Sequence, residues 1–211
     1  MLTAAYMRLF IALDIDNAIR DRIRTFLEGV RDFAPEARWV RAESLHITLK
    51  FIGEKPAETA EAIKQSLAAI RADPIPLVFR GYGFFPTPKS PRVFWIGLEA
   101  ESQLTRLVEA VEEATAALGI PKEAHAFSPH LTLARGGGGS GAPRWRKGDG
   151  PNRIFQRLQE KLAARPMPEF GTMTAREFFL YQSQLSREGS HYTKLERISL
   201  NQGTTGSRYN P

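Results

Sequence analysis

The spacing of hydrophobic positions changes several times along the chain, and each change marks an element. Arg8–Ile15 (RLFIALDI) is a short apolar run that predicts a strand. Asp16 and Asn17 can cap the helix that follows, to about Phe33, with Ile19, Ile23, Phe26, Leu27 and Val30 on its buried stripe. Ser44–Ile52 (SLHITLKFI) alternates with period two and stops at Gly53, the pattern of a strand. Pro56–Ala72 returns to helical spacing, with Ala60, Ile63, Leu67 and Ile70 inward. Strands are expected over Ile75–Phe85 and Arg92–Leu98, joined by a turn-rich link carrying Pro86, Pro88 and Pro91. A helix over Glu101–Leu118 ends at Gly119, and Ala126–Ala134 contains a second alternating strand, SPHLTLA. A helix over Ile154–Ala164 and strands over Thr174–Leu185 and His191–Leu200 close the chain.

Mixed elements with hairpin-like strand pairs predict an α+β fold rather than a doubly wound parallel sheet. SLHITL and SPHLTL each follow a helix, which reads as a pseudo-repeat: two similar lobes, each giving one strand to a shared cleft. The 211 residues fit one bilobal domain, 1–211. Within it, 136–150 (GGGGSGAPRWRKGDG) reads as a flexible glycine-rich loop and 201–211 as a disordered tail. No Gly-Lys-Ser/Thr closes the loop, so it is not a P-loop. A hydrophobic content of 42% and a charged content of 25% are those of a globular chain. The absence of cysteine excludes disulfides and thiolate metal sites. No stretch reaches the ~18 apolar residues of a membrane span. Arg8 and Asp14 break the N-terminal apolar run, which has no basic start, so it is not read as a secretory signal; the cytoplasm is the expected compartment. A net charge of +6 favours a polyanionic partner.

The chemistry concentrates in His46-Ile47-Thr48-Leu49 and His130-Leu131-Thr132-Leu133. Alternate side chains on a strand point to opposite faces, so each histidine shares a face with its threonine while the aliphatic pair is buried. One such tetrapeptide occurs by chance; two, in matched apolar settings, use half of the four histidines in the chain. An imidazole titrates near neutral pH, so one ring can be neutral while its neighbour carries a proton. The neutral ring can take a proton from water attacking phosphorus, and the other can protonate the departing ribose oxygen. Threonine hydroxyls can donate to the non-bridging phosphate oxygens. This chemistry calls for no metal and no cofactor. The near symmetry of the motifs leaves acid and base interchangeable.

The segments RLFIALDI, RWVRAESLHITLKFIG, PRVFWIGLE, FSPHLTLAR and LYQSQLSREGSHYTKLERISL resemble the RNA 2′,3′-cyclic phosphodiesterases. These are also called 2′-5′ RNA ligases and belong to the two-histidine phosphoesterase superfamily. The resemblance runs in order from Met7 to Leu200. It implies a bilobal, pseudo-symmetric fold with antiparallel sheets lining a central cleft and helices outside. It also implies hydrolysis of RNA 2′,3′-cyclic phosphate ends to 2′-phosphomonoesters, His46 being the proton donor and His130 the acceptor. Thr48, Thr132 and Arg135 would bind phosphate. Strict alternation sets Arg135 on the core face unless the strand ends first. The expected partner is RNA with a 2′,3′-cyclic phosphate terminus, acted on by a monomer. The stretch before Met7 and the glycine-rich loop depart from the family pattern.

Three other readings use the same residues. A ligase would join cyclic-phosphate and 5′-hydroxyl RNA ends by the reverse reaction. A relative with another substrate would hydrolyse small cyclic nucleotides. A non-catalytic module would only hold phosphorylated RNA ends. His125 and His191 read as exposed, with no carboxylate or cysteine at zinc-type spacing. The series Arg144, Arg146, Lys147, Arg153, Arg157, Lys161 and Arg165 fits an RNA backbone or a solvated helix face equally well. Trp39, Phe84, Phe85 and Trp95 are expected in the core more than as base-stacking platforms.

Overall fold

The structure, a computed structural model, describes residues 6–136, 153–186 and 189–201. The first apolar run forms β1 (Tyr6–Asp14), and Asp16 then caps α1 (Asn17–Glu28) by accepting from the Ile19 N–H at 2.8 Å. Ile19, Ile23 and Leu27 give this helix its buried stripe. The helix stops short of Phe33 because the chain turns at Gly29 and tightens into a 3-10 turn at Arg31–Phe33. Then come β2 (Arg38–Trp39), a 3-10 turn (Ala42–Ser44), β3 (His46–Pro56), α2 (Ala57–Ala68) and β4 (Ile75–Phe85). The remaining elements are β5 (Val93–Ala100), α3 (Ser102–Ala116), β6 (His130–Arg135), α4 (Gln156–Ala163), β7 (Glu169–Ala175), β8 (Glu177–Ser186) and β9 (Gly189–Ser199).

Two expectations about strands are corrected. Gly53 does not end β3; it takes φ +83° beside a register shift against β1, and the strand continues to Pro56. The single strand expected over Thr174–Leu185 is two strands in different sheets, divided at Arg176. The glycine-rich loop and the C-terminal tail lie outside the described residues, except for Gly136 and Asn201.

All ladders are antiparallel and form two sheets, ordered β3-β1-β8-β9 and β2-β6-β5-β4-β7. Apart from β2, the orders correspond strand for strand, with the motif strands β3 and β6 in matching places. The units β1-α1-β3-α2 and β5-α3-β6-α4 are therefore equivalent, as the pseudo-repeat predicts. The α+β expectation is met. The motif strands touch although they belong to different sheets. One apolar core runs through both, from Leu13 and Ile47 to Ile96, Leu131 and Leu133. A second cluster, Phe10, Ala12, Phe179 and Tyr181, packs apart from that core, with Tyr192 against it. Behind β3, the fully buried Lys50 pairs with Glu112 of α3 and donates to the Pro121 carbonyl at 2.9 Å.

Candidate active site

Both motif strands carry the same defect just past the threonine. Ala12 pairs with Thr48 and Ile11 with Lys50, so Leu49 is an extra residue in β3. Trp95 pairs with Thr132 and Phe94 with Ala134, so Leu133 is the extra residue in β6. A bulge of this kind resets alternation. Leu49 and Lys50 are both buried, as are Leu133 and Ala134, and the next residues, Phe51 and Arg135, emerge again. Arg135 therefore returns to the face of His130 and Thr132, where unbroken alternation would have sent it into the core.

The two imidazoles are held alike. His46 Nδ1 lies 2.8 Å from the Ser44 carbonyl oxygen, and His130 Nδ1 lies 2.8 Å from that of Ser128. A carbonyl only accepts, so each Nδ1 carries the proton and each neutral ring keeps its lone pair on Nε2. Aromatic rings brace both. Phe10 and Tyr192 stand 4.8 and 5.1 Å from His46, centroid to centroid. Phe85 and Trp95 stand 5.0 and 6.3 Å from His130. Trp95 lies across Gly83, where a Cβ would collide with the indole. Phe84 is in the core and Trp39 packs against it, so the four aromatics singled out from the sequence divide evenly between core and site.

Burial is the main influence on both rings and lowers both pKa values. His46 falls to about 4; its bond to Ser44 and the Asp14 charge oppose the fall, while Arg135 and Arg20 add to it. His130 is lowered for the same reason, again with Arg135 assisting and the Ser128 bond opposing. One guanidinium thus acts on both imidazoles. Arg135 is itself pushed down, first by burial and then by Arg38 and Arg8, with Tyr192 opposing. It remains a cation near neutral pH.

His125 and His191 are exposed and take no part in this grouping. Arg144, Arg146 and Lys147 lie outside the described residues; Arg153, Arg157 and Arg165 are exposed, and Lys161 sits over the Phe33 ring. Among the described residues, no group of three or more His, Asp or Glu could hold a metal ion, and no helix is long and apolar enough to cross a membrane. Asp14, Tyr181 and Tyr192 escaped the sequence reading. They reach His46 only through the pairing of β3 with β1, of β1 with β8 and of β8 with β9, which local patterns do not encode.

The sequence pattern of the family described as LigT-like phosphoesterase matches this chain twice, over residues 13–95 and over residues 96–192. The chain belongs to the LigT-like phosphoesterase family. Each half that matches the LigT-like pattern contains one histidine motif, in line with the equivalence of the two sheets. A relative from Archaeoglobus fulgidus, named RNA 2′,3′-cyclic phosphodiesterase, is 35% identical over 189 residues, 90% of this chain and 98% of its own. One of the same name from Aeropyrum pernix is 34% identical over 178 residues, 84% of this chain and 94% of its own. The crystal structure of E. coli LigT with 3′-AMP superposes with a TM-score of 0.73 at 29% identity, covering 94% of this chain and 100% of that one. The chain is thus a LigT-like phosphoesterase in sequence and in fold, as the doubled motif led us to expect.

Proposed function

We propose that the chain hydrolyses RNA 2′,3′-cyclic phosphate ends to 2′-phosphomonoesters, with His46 as proton donor, His130 as proton acceptor and no metal. The observation that carries this reading is the single Arg135 charge bearing on two imidazoles locked in the same tautomer. A site built this way suits one anion between two proton-transfer groups. The Archaeoglobus and Aeropyrum relatives, by their names, act on such a cyclic phosphate in RNA. In the proposed reaction His130 Nε2 takes a proton from water as its oxygen bonds to phosphorus. The bond from phosphorus to the ribose 3′-oxygen breaks, and His46 Nε2 protonates that oxygen. Thr48, Thr132 and Arg135 hold the non-bridging oxygens, where negative charge grows. Both rings favour the neutral form in the free protein, so His46 acquires its proton with the substrate: an anion set against an imidazole favours the imidazolium. We assign this activity to a cytoplasmic monomer.

The test is turnover of a short oligonucleotide ending in a 2′,3′-cyclic phosphate, with EDTA present, for wild type, His46→Ala and His130→Ala. Each proton transfer is worth about 10²–10⁴ in rate, so each variant should lose at least about a hundredfold in kcat, and wild type should yield only the 2′-phosphate. Loss of wild-type turnover in EDTA, or variants that match wild type, would refute the mechanism.

A further inference from the structure

The two motifs are near copies, yet their ladder partners differ. Asp14 pairs with His46, whereas Gly97 pairs with His130. Residues directly opposed in an antiparallel ladder project to the same face, so a carboxylate stands beside one imidazole and a bare backbone beside the other. A side chain at Gly97 is barred, because its Cβ would lie 2.6 Å from the Arg80 carbonyl oxygen.

Asp14 is firmly held. Its Oδ1 accepts from Arg20 Nη2 at 2.9 Å and from the Ile15 N–H at 3.0 Å, and its Oδ2 accepts from Lys194 Nζ at 2.7 Å. Arg20 also donates to the carbonyls of Ile15 at 3.0 Å and of Ala42 at 2.5 Å. Ala42 opens the 3-10 turn that ends at Ser44, and the Ser44 carbonyl receives the His46 Nδ1 proton. One network therefore fixes both the carboxylate and the ring it faces.

We propose that Asp14 is the positioning residue that makes His46, rather than His130, the proton donor. This rests on the two-histidine reading above and supplies what the near-symmetric motifs lack. A bound phosphate anion favours the imidazolium at both rings; the Asp14 carboxylate adds to that preference at His46 alone. Facing His46 are Asp14, which favours its proton, and Arg135 and Arg20, which oppose it. Facing His130, Arg135 alone exerts a resolved charge effect, and it favours the neutral base. Burial outweighs these charges in the free protein, so the bias of Asp14 is expressed once the anion is bound.

The experiment uses the full chain as wild type, Asp14→Asn and Lys194→Met. Histidine titrations are followed by NMR of 13C-labelled imidazoles, and kcat is measured on the cyclic-phosphate oligonucleotide at pH 6 and pH 8. D14N should lower the His46 pKa and leave His130 in place. Its kcat should fall roughly tenfold at pH 8, where the acid is scarce, and much less at pH 6. K194M removes a cation from Asp14 at an exposed edge and should move His46 the other way. A His46 titration unmoved in both variants would overturn the proposal. So would equal shifts at both histidines, or a D14N loss equal at both pH values, the mark of a scaffold residue. Should D14N fail to fold, the direction of the K194M shift decides. An inactive wild type would sink the cyclic-phosphate reading, while the NMR comparison still judges Asp14.

Discussion

With both imidazoles half-buried and the Arg135 charge acting on each, the free protein is a poor holder of the proton that its acid must donate. His46 titrates at about 4 and His130 below its ordinary value, so above pH 6.5 both rings are neutral and the protonated fraction of His46 falls tenfold per pH unit. Because kcat/KM reports the free protein, it should peak below pH 6.5 and fall with that slope on the alkaline side. The value of kcat reports the complex, in which the phosphate anion raises both rings, so its optimum should lie at higher pH. Initial rates from pH 4 to 9, fitted separately for the two parameters, check the order; coincident optima would mean that substrate charge does not recruit the proton. The histidines and threonines were legible at this scale because period two survives from His46 to Thr48 and from His130 to Thr132. The face of Arg135 was not, since a bulge at Leu133 depends on register against β5 and leaves no mark in composition.

At the scale of elements, paired strands were read best where apolar runs are long, as in β4, which forms over Ile75–Phe85 as expected. Where a strand changes sheet without a proline or glycine, the pattern runs on. Thr174–Leu185 looks continuous because β7 and β8 both bury apolar residues and only Arg176 separates them. Strict alternation from His46 and Thr48 would set Lys50 on their face, yet it is fully buried on Glu112 of α3. Bulge residue Leu49 turns it inward, so this pair also anchors the strand segment just beyond Thr48. Glu112→Ala would strand a buried ammonium group, and urea unfolding should show a loss of about 3–5 kcal/mol. Replacing both partners, as Lys50→Met with Glu112→Leu, should recover most of that stability, since the cost lies in the unpaired charge. Equal losses in the single and double variants would instead assign the effect to packing alone.

For the molecule as a whole, the doubled motif made two equivalent halves legible, but not how the chain shares its strands between them. After β1 and β3 build one sheet, β4 to β7 join β2 in the other, and β8 and β9 return to the first with β8 beside β1. No local pattern states that return; it follows from which apolar faces are left to cover once both sheets exist. Its consequence is mechanical. The halves share one apolar core, and neither sheet is complete without chain from the far side of the other, so the sheets should unfold together. Leu13 of β1 is fully buried, and Trp95 sits in the other sheet. In a variant whose only tryptophan is Trp95, Leu13→Ala should cost about 2–5 kcal/mol. The midpoint seen by Trp95 fluorescence should move with it and coincide with that seen by far-UV circular dichroism. A Trp95 transition indifferent to Leu13 would mean that the sheets fold as separate units. The two histidines would then be brought together by docking rather than by a common core, and the rigid spacing that two-sided proton transfer demands would have to come from the substrate.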